Sequence, residues 1–176
     1  MGLLAAAVEH ARRVVADHGV GALLIDDLTE EDLPSLGWSG DRVHLLSVRS
    51  QLERMRAGEV EYLVARAPDG TPIGKAGVDL AVTPRRGVLW QIAVHPDLQG
   101  LGIGTALIAA CEARARARGC REVALSVELV NPRARELYER LGYVAVDERD
   151  TGWPVTDDLG ADRWYSTRVV DLKKPL

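Results

Sequence analysis

The chain has 176 residues, 47% of them hydrophobic and 27% charged, with a formal net charge of −4. These values suit one folded unit with a full core and exclude wholesale disorder. The acidic balance argues against nucleic acid as a partner, because phosphate backbones are bound through a basic footprint.

Aromatic residues are few and Phe is absent, so Leu, Val, Ala and Ile must build the core. Cys111 and Cys120 form no CxxC pair and no cluster with histidine; no metal site is expected, and buried thiols fit a cytoplasmic protein. The first residues lack a cationic lead, and Glu9 and His10 interrupt the apolar run, so they do not read as a secretory signal. Ala6 stands where N-myristoylation calls for Ser or Thr. No stretch approaches a membrane span, so no membrane partner is expected.

Residues 3–16 read as a helix, with Leu4, Val8, Ala11, Val14 and Val15 recurring at helical spacing before His18 and Gly19. Residues 1–19 are assigned as an N-terminal helical extension and 20–176 as a single domain; whether the helix docks stays open. Residues 20–25 are an apolar run expected to form a strand. Thr29 and Asp32 resemble a capping box with Asp in place of Glu. Residues 44–56 carry Leu45, Val48, Leu52 and Met55 on one helical face. Residues 62–67 and 73–82 flank the turn Pro68-Asp69-Gly70 as a hairpin, with Gly74 and Gly77 admitting a bulge, and residues 88–94 return as a third strand of a meander.

Residues 105–118 are the longest helical signal, closed by Gly119. A strand over 123–130 then completes a βαβ crossover. Asn131 and Pro132 are N-cap and first residue of a helix running to Leu141. A strand over 143–146, an irregular polar region over 147–162 and a last strand over 164–172 finish the chain. The fold class is therefore α+β, a mixed, mostly antiparallel sheet with helices on its faces.

The most informative stretch joins the third meander strand to the long helix: Gln99-Gly100-Leu101-Gly102-Ile103-Gly104-Thr105. Glycines let a ligand approach the backbone, and the first turn of a helix leaves N–H groups that attract phosphate. The spacing is neither the Rossmann pattern nor Walker A, since a meander precedes it and no Lys-Ser/Thr follows Gly104. A purely structural turn is the alternative.

Two motifs in order resemble the GNAT family of N-acetyltransferases. Gln99-Gly100-Leu101-Gly102-Ile103-Gly104 follows a strand ending in Val94-His95-Pro96 and is similar to the family's coenzyme loop. Asn131, then Ala134-Arg135-Glu136-Leu137-Tyr138, then Gly142-Tyr143 is similar to its second motif. The resemblance covers roughly residues 20–172. It implies the GNAT-like fold, with a splayed strand pair holding acetyl-CoA as cosubstrate. Amides of Gln99, Gly100, Leu101, Gly102, Ile103, Gly104 and Thr105 would hold the pyrophosphate. Backbone groups of Ile92 and Val94 would pair with the pantetheine arm and help polarise the acetyl carbonyl. Asn131 would contact that arm, and Tyr138 would protonate the leaving thiolate. From the residues alone, Tyr138 equally reads as a core residue and Asn131 as an N-cap. Arg133 or Arg135 would reach the phosphates, or else be plain helix surface; Arg114 and Arg116 have less support.

The general base is the gap in the pattern. Residues 88–94 offer Gln91 and no carboxylate, and Ser126 stands where some relatives carry Glu. Glu128 shares the face of Ser126 and is the best carboxylate, with an exposed strand-end charge as its alternative; Asp79 is a further candidate. The expected activity is acetyl transfer to a primary amine of a small molecule or peptide, against the alternatives of a catalytically silent acyl-CoA-binding module and a nucleotide-binding regulator. Acidic stretches at 26–32 and 147–162, the latter including Asp157 and Asp158, favour a cationic acceptor. Trp38, Trp153, Trp164 and Tyr165 are candidates for the acceptor wall, with one of Trp164 and Tyr165 expected in the core. Dimers are common in the family, so a homodimer is admitted, although no stretch reports an interface.

Overall fold

In the computed structural model, which describes residues 2–156 and 160–176, the chain runs through α1 (Gly2–His18), β1 (Leu24–Asp27), α2 (Arg42–Arg56), β2 (Val60–Arg66), β3 (Pro72–Thr83), β4 (Arg86–Val94), α3 (Ile103–Ala117), β5 (Glu122–Glu128), α4 (Pro132–Arg140), β6 (Val144–Thr156) and β7 (Asp162–Pro175). The strands form one sheet in the order β1-β2-β3-β4-β5-β7-β6. Only β4 and β5 pair in parallel; the other neighbours are antiparallel. The architecture is the expected mixed α+β fold, with β2, β3 and β4 as the meander.

Two apolar layers sandwich the sheet. On one side α3 buries Ile103, Leu107, Ile108, Cys111 and Ala115, residues three and four apart, against Ala76, Val78 and Leu89. The same layer holds Ala7, Val8, Ala11 and Val15, so α1 docks on this face. On the other side Val48 and Leu52 of α2 pack with Leu28, Leu36, Tyr62 and Val64.

The apolar run at 20–25 is not one strand. Residues 20–22 close a 3-10 turn, with Leu23 N–H donating to Val20 O at 3.1 Å, and the strand starts only at Leu24. It then includes Asp26 and Asp27, which are poor strand formers by propensity. Arg66 holds the first of them at 2.7 Å. The capping box at Thr29 forms, with Asp32 accepting from Thr29 N–H at 2.8 Å.

The larger departure lies near the C-terminus. Residues 147–156 are not irregular; they continue β6, which pairs with β7 from Val144↔Lys173 to Thr156↔Asp162. Their polarity reflects exposure, because an edge strand beyond the helices has no face to bury. For the same reason neither Trp164, 66% exposed, nor Tyr165, 38% exposed, enters the core. The hairpin end is tied to α2: Thr156 N–H donates to Asp41 Oδ2 at 2.8 Å, and Arg42 bonds Asp162 at 2.9 Å. Asp157 and Asp158 lie outside the described residues.

The feature that makes a site is the parting of β4 from β5. Their pairing covers only Arg86↔Glu122, Gly87↔Val123 and Val88↔Ala124. β4 bends at the same level. Its register against β3 jumps from Gly77↔Trp90 to Lys75↔Ala93, and Gln91 has φ 49°. Gly77 admits the bend, because a Cβ there would lie 2.5 Å from the Trp90 ring.

Candidate active site

Two cavities open where the strands part. The first, about 340 Å³, runs from the glycine loop to α4. Its lining includes Ile92 and Val94 on β4, then Gln99, Gly100, Gly102, Ile103, Gly104 and Thr105, then Asn131 and Tyr138. Of the expected coenzyme residues only Leu101 is missing from this wall; its side chain packs into the core instead. Beyond Val88 the β5-facing edge of β4 has no strand partner among the described residues, so its backbone groups, apart from Val94 O, are open to a ligand chain.

The loop geometry explains its composition. Gly100 and Gly102 have φ of 85° and 87°, a region L side chains rarely adopt. Gly102 caps α3 with no side-chain hydrogen bond, and the first helical bond is Ala106 N–H to Gly102 O at 3.0 Å. The amides of Ile103, Gly104 and Thr105 precede that bond. They line the cavity at the positive end of a helix dipole, where an anion of phosphate size is stabilised. Gln99 Nε2 donates to Val94 O at 3.3 Å and ties the loop to the strand.

The cations sort by position. Arg133 and Arg140 line the cavity, and an Arg133 Nη lies 3.4 Å from where a Gly100 Cβ would stand. Arg135 is paired with Glu139 at 2.8 Å, and Arg114 with Asp27 at 2.7 Å and Glu61 at 3.0 Å, so neither faces the loop. Arg140 escaped sequence reading, since it lies at the far end of α4 and outside either motif.

The second cavity, about 410 Å³, lies between β4, β5 and the β6–β7 hairpin. It shares Ile92, Asn131, Ala134 and Tyr138 with the first, so the two chambers meet at those residues. Asn131 caps α4 through Oδ1, which accepts from Ala134 N–H at 3.1 Å, and still lines both chambers. Tyr138 is 8% exposed, packs edge-on to Tyr143, and has no side-chain hydrogen-bond partner among the described residues. Burial pushes its phenol above the ordinary value, so it carries its proton at neutral pH.

Glu128 lines the second chamber, and its Oε2 accepts from Tyr165 Oη at 2.8 Å. Ser126 lines it as well. The antiparallel pairing Ser126↔Asp171 brings in a network sequence reading did not find: Arg149 Nε donates to Asp171 at 2.8 Å and Arg149 Nη2 to Ser126 Oγ at 3.2 Å. Trp153 closes the wall, its ring tilted at 57° against Tyr165 with centroids 5.2 Å apart. Trp38 sits elsewhere, against His95. Asp79 is no candidate base, being buried opposite Val88 and bonded to Arg54 at 2.7 Å. The acidic stretch 26–32 lines neither chamber, and four of its five carboxylates are in ion pairs with Arg66, Arg114 and Arg56.

The sequence profile of the acetyltransferase (GNAT) family matches residues 25–143. An acetyltransferase of Pectobacterium atrosepticum is 42% identical over 62 residues, which are 35% of this chain and 44% of that protein. The match thus spans less than half of that relative. Among solved structures, the ribosomal-protein-alanine N-acetyltransferase of Brucella melitensis has a TM-score of 0.69 at 24% identity, covering 88% of this chain and 100% of that one. The PaiA N-acetyltransferase of Thermoplasma acidophilum, in complex with coenzyme A, has a TM-score of 0.65 at 17% identity, covering 88% and 99%. A spermidine N-acetyltransferase chimera from Vibrio cholerae and the human enzyme has a TM-score of 0.67 at 17% identity, covering 87% and 94%. These three likenesses establish the fold.

Proposed function

The chain belongs to the acetyltransferase (GNAT) family, and from that premise we propose that it moves an acetyl group from acetyl-CoA to a primary amine of a small molecule or peptide by direct transfer. The observation that carries the reading is the meeting of two chambers at Ile92, Asn131 and Tyr138, one ending in a helix N-terminus and the other walled by Glu128 and Trp153.

The residues fit the coenzyme. Free amides of Ile103, Gly104 and Thr105, with Arg133 and Arg140 lining the same cavity, suit a pyrophosphate. The unpaired edge of β4 suits the amide-bearing arm. Bound acetyl-CoA supplies an acetyl group on a thioester. The nitrogen lone pair of the acceptor then forms the N–C bond while the C–S bond breaks. Tyr138 gives its proton to the departing sulfur, and Glu128, directly or through water, takes the proton from nitrogen. Tyr138 and Glu128 must therefore begin in opposite protonation states, phenol and carboxylate. Backbone groups at Ile92 and Val94 stabilise charge growing on the acetyl oxygen, the kind of fixed dipole that contributes most in a closed site.

The acceptor is an amine. The names of structural relatives point to a protein's alanine and to spermidine as acceptors for those proteins. In this chain Glu128 is the carboxylate in the chamber wall and would attract an ammonium before its deprotonation. Free-thiol release from acetyl-CoA, followed across amines and peptides with free N-termini, tests the reading. Release that depends on one amine class supports it. Tight coenzyme A binding with no release on any amine contradicts it, and favours the silent acyl-CoA-binding alternative.

A further inference from the structure

Beneath α2, on the sheet face away from α3, lies an amine the transfer scheme does not use. Lys75 of β3 is 0% exposed. A buried ammonium ordinarily needs a carboxylate, and among the described residues Lys75 pairs with none. Its Nζ donates to Tyr62 Oη at 3.0 Å and to the backbone oxygen of Gln91 at 3.3 Å. Tyr62 Oη donates in turn to Gln91 Oε1 at 2.7 Å, and Gln91 Nε2 donates to Ser47 Oγ at 3.2 Å. A neutral amine has two N–H groups, which these two acceptors satisfy; the third proton of an ammonium would find no acceptor among the described residues.

The chain of bonds converges on a strained point. Gln91 sits at the bulge of β4 with φ 49°, a conformation a non-glycine residue keeps only where its surroundings hold it. Here both its carbonyl and its side-chain amide are held. The next residue is Ile92, where the two chambers meet.

We propose that neutral Lys75 is a positioning residue: with Tyr62 it pins the bulge at Gln91, which sets Ile92 and the strand beyond it against the acyl group, and protonation of Lys75 slackens the pin and lowers transfer. The inference rests on the acetyl-transfer reading. Burial pushes the Lys75 amine down to about 7. The titratable groups facing it are His44 from α2, pushed down to about 4 by burial and then by Lys75, and Tyr62 from β2, pushed well above its ordinary value by burial. From β4 come Trp90 and Gln91, which do not titrate. Lys75 is thus the member of this group that changes charge near neutrality: above about pH 7 the pin is made, and below it the extra proton has no acceptor.

The test compares wild type, Lys75→Met and Tyr62→Phe. Turnover and the KM for acetyl-CoA are measured against pH, and amide hydrogen exchange at Ile92 and Ala93 is measured in the coenzyme-free protein. In wild type, turnover should fall and exchange at Ile92 should quicken as pH drops through neutrality, after correction for intrinsic exchange. Lys75→Met should lose both transitions, with turnover lowered by about tenfold to a hundredfold and the KM for acetyl-CoA nearly unchanged. Tyr62→Phe keeps the ring and removes the two bonds of the hydroxyl, to Lys75 Nζ and to Gln91 Oε1, but leaves Lys75 on the Gln91 carbonyl, so it should show the same changes in weaker form even if Lys75→Met does not fold. Variants that retain wild-type turnover and pH dependence overturn the proposal. So does a loss of turnover that is uniform in pH with exchange at Ile92 unaltered. Absence of transfer by wild type on every amine defeats the functional reading instead; the exchange measurement still decides whether the pin exists.

Discussion

Tyr138 shows how one side chain is prepared for a role. It stands on α4 three residues before Leu141, on the face that turns inward, and burial keeps its phenol protonated. Nothing among the described residues accepts its proton, which is what the proposed proton transfer to sulfur requires of it. Tyr138→Phe should therefore lower turnover by about a hundredfold or more while leaving coenzyme affinity within a factor of about two. Steady-state kinetics with direct binding measurements separates the two effects. A large loss of affinity would instead assign Tyr138 to packing. Tyr143 is the contrast: it is buried too, but its hydroxyl donates to Glu112 at 2.9 Å, and Lys174 completes that buried pair. Motif and burial together single out Tyr138; burial alone does not.

At the scale of elements, α3 supplies unpaired amides and α4 brings the cations to them. Arg133→Ala and Arg140→Ala should each weaken coenzyme A binding by about tenfold, the usual weight of a charge-assisted hydrogen bond, with the loss shrinking at high salt. Arg135→Ala should bind normally, because its partner is Glu139. Calorimetry at two salt concentrations reads both. Between the end of β2 and the capped turn after Thr29, the pair Arg66–Asp32 sets an acid limit. Burial alone would raise the Asp32 carboxyl, but the Arg66 guanidinium and the Thr29 N–H outweigh it and hold the carboxyl below its ordinary range. A depressed carboxyl contributes stability above its unfolded pKa that is lost as pH falls through the folded value. Arg66→Met should accordingly move acid unfolding to higher pH, followed by circular dichroism. Much of this was legible in the sequence. The glycine loop, the Asn131 cap and the meander all have local signals, namely turn residues, caps and hydrophobic period. Of the second chamber, Ser126, Glu128 and Trp153 were legible, but the Arg149–Asp171 pair was not, because it reaches Ser126 only through the pairing of β5 with β7 and of β7 with β6. Lys75 was hidden as well, since a lysine between Gly74 and Ala76 looks like a solvent-facing strand position until Tyr62 and Gln91 are seen around it.

The molecule as a whole is a sheet that parts at one end, with the opening closed from the side by a hairpin. The tie at that hairpin is Asp41, which caps α2 by accepting from His44 N–H at 2.7 Å and holds Thr156 N–H with its other oxygen. Its carboxyl is kept below the ordinary range first by the His44 bond, with burial opposing and Thr156 assisting. Asp41→Ala should destabilise the protein by about 1–2 kcal/mol, read by thermal unfolding. It should also raise the KM for the amine more than that for acetyl-CoA, because the hairpin borders only the second chamber. The length of β6 went unread because its residues are polar and face water on both sides, which leaves no period to detect. The proposed transfer requires one arrangement: coenzyme in the first chamber, acceptor in the second, and chemistry where they meet. A crystal structure with coenzyme A bound tests it most directly. The pyrophosphate should lie on the amides of Ile103, Gly104 and Thr105, and the thiol sulfur within hydrogen-bond reach of Tyr138 Oη; a coenzyme bound elsewhere, or a sulfur turned away from Tyr138, would contradict this arrangement.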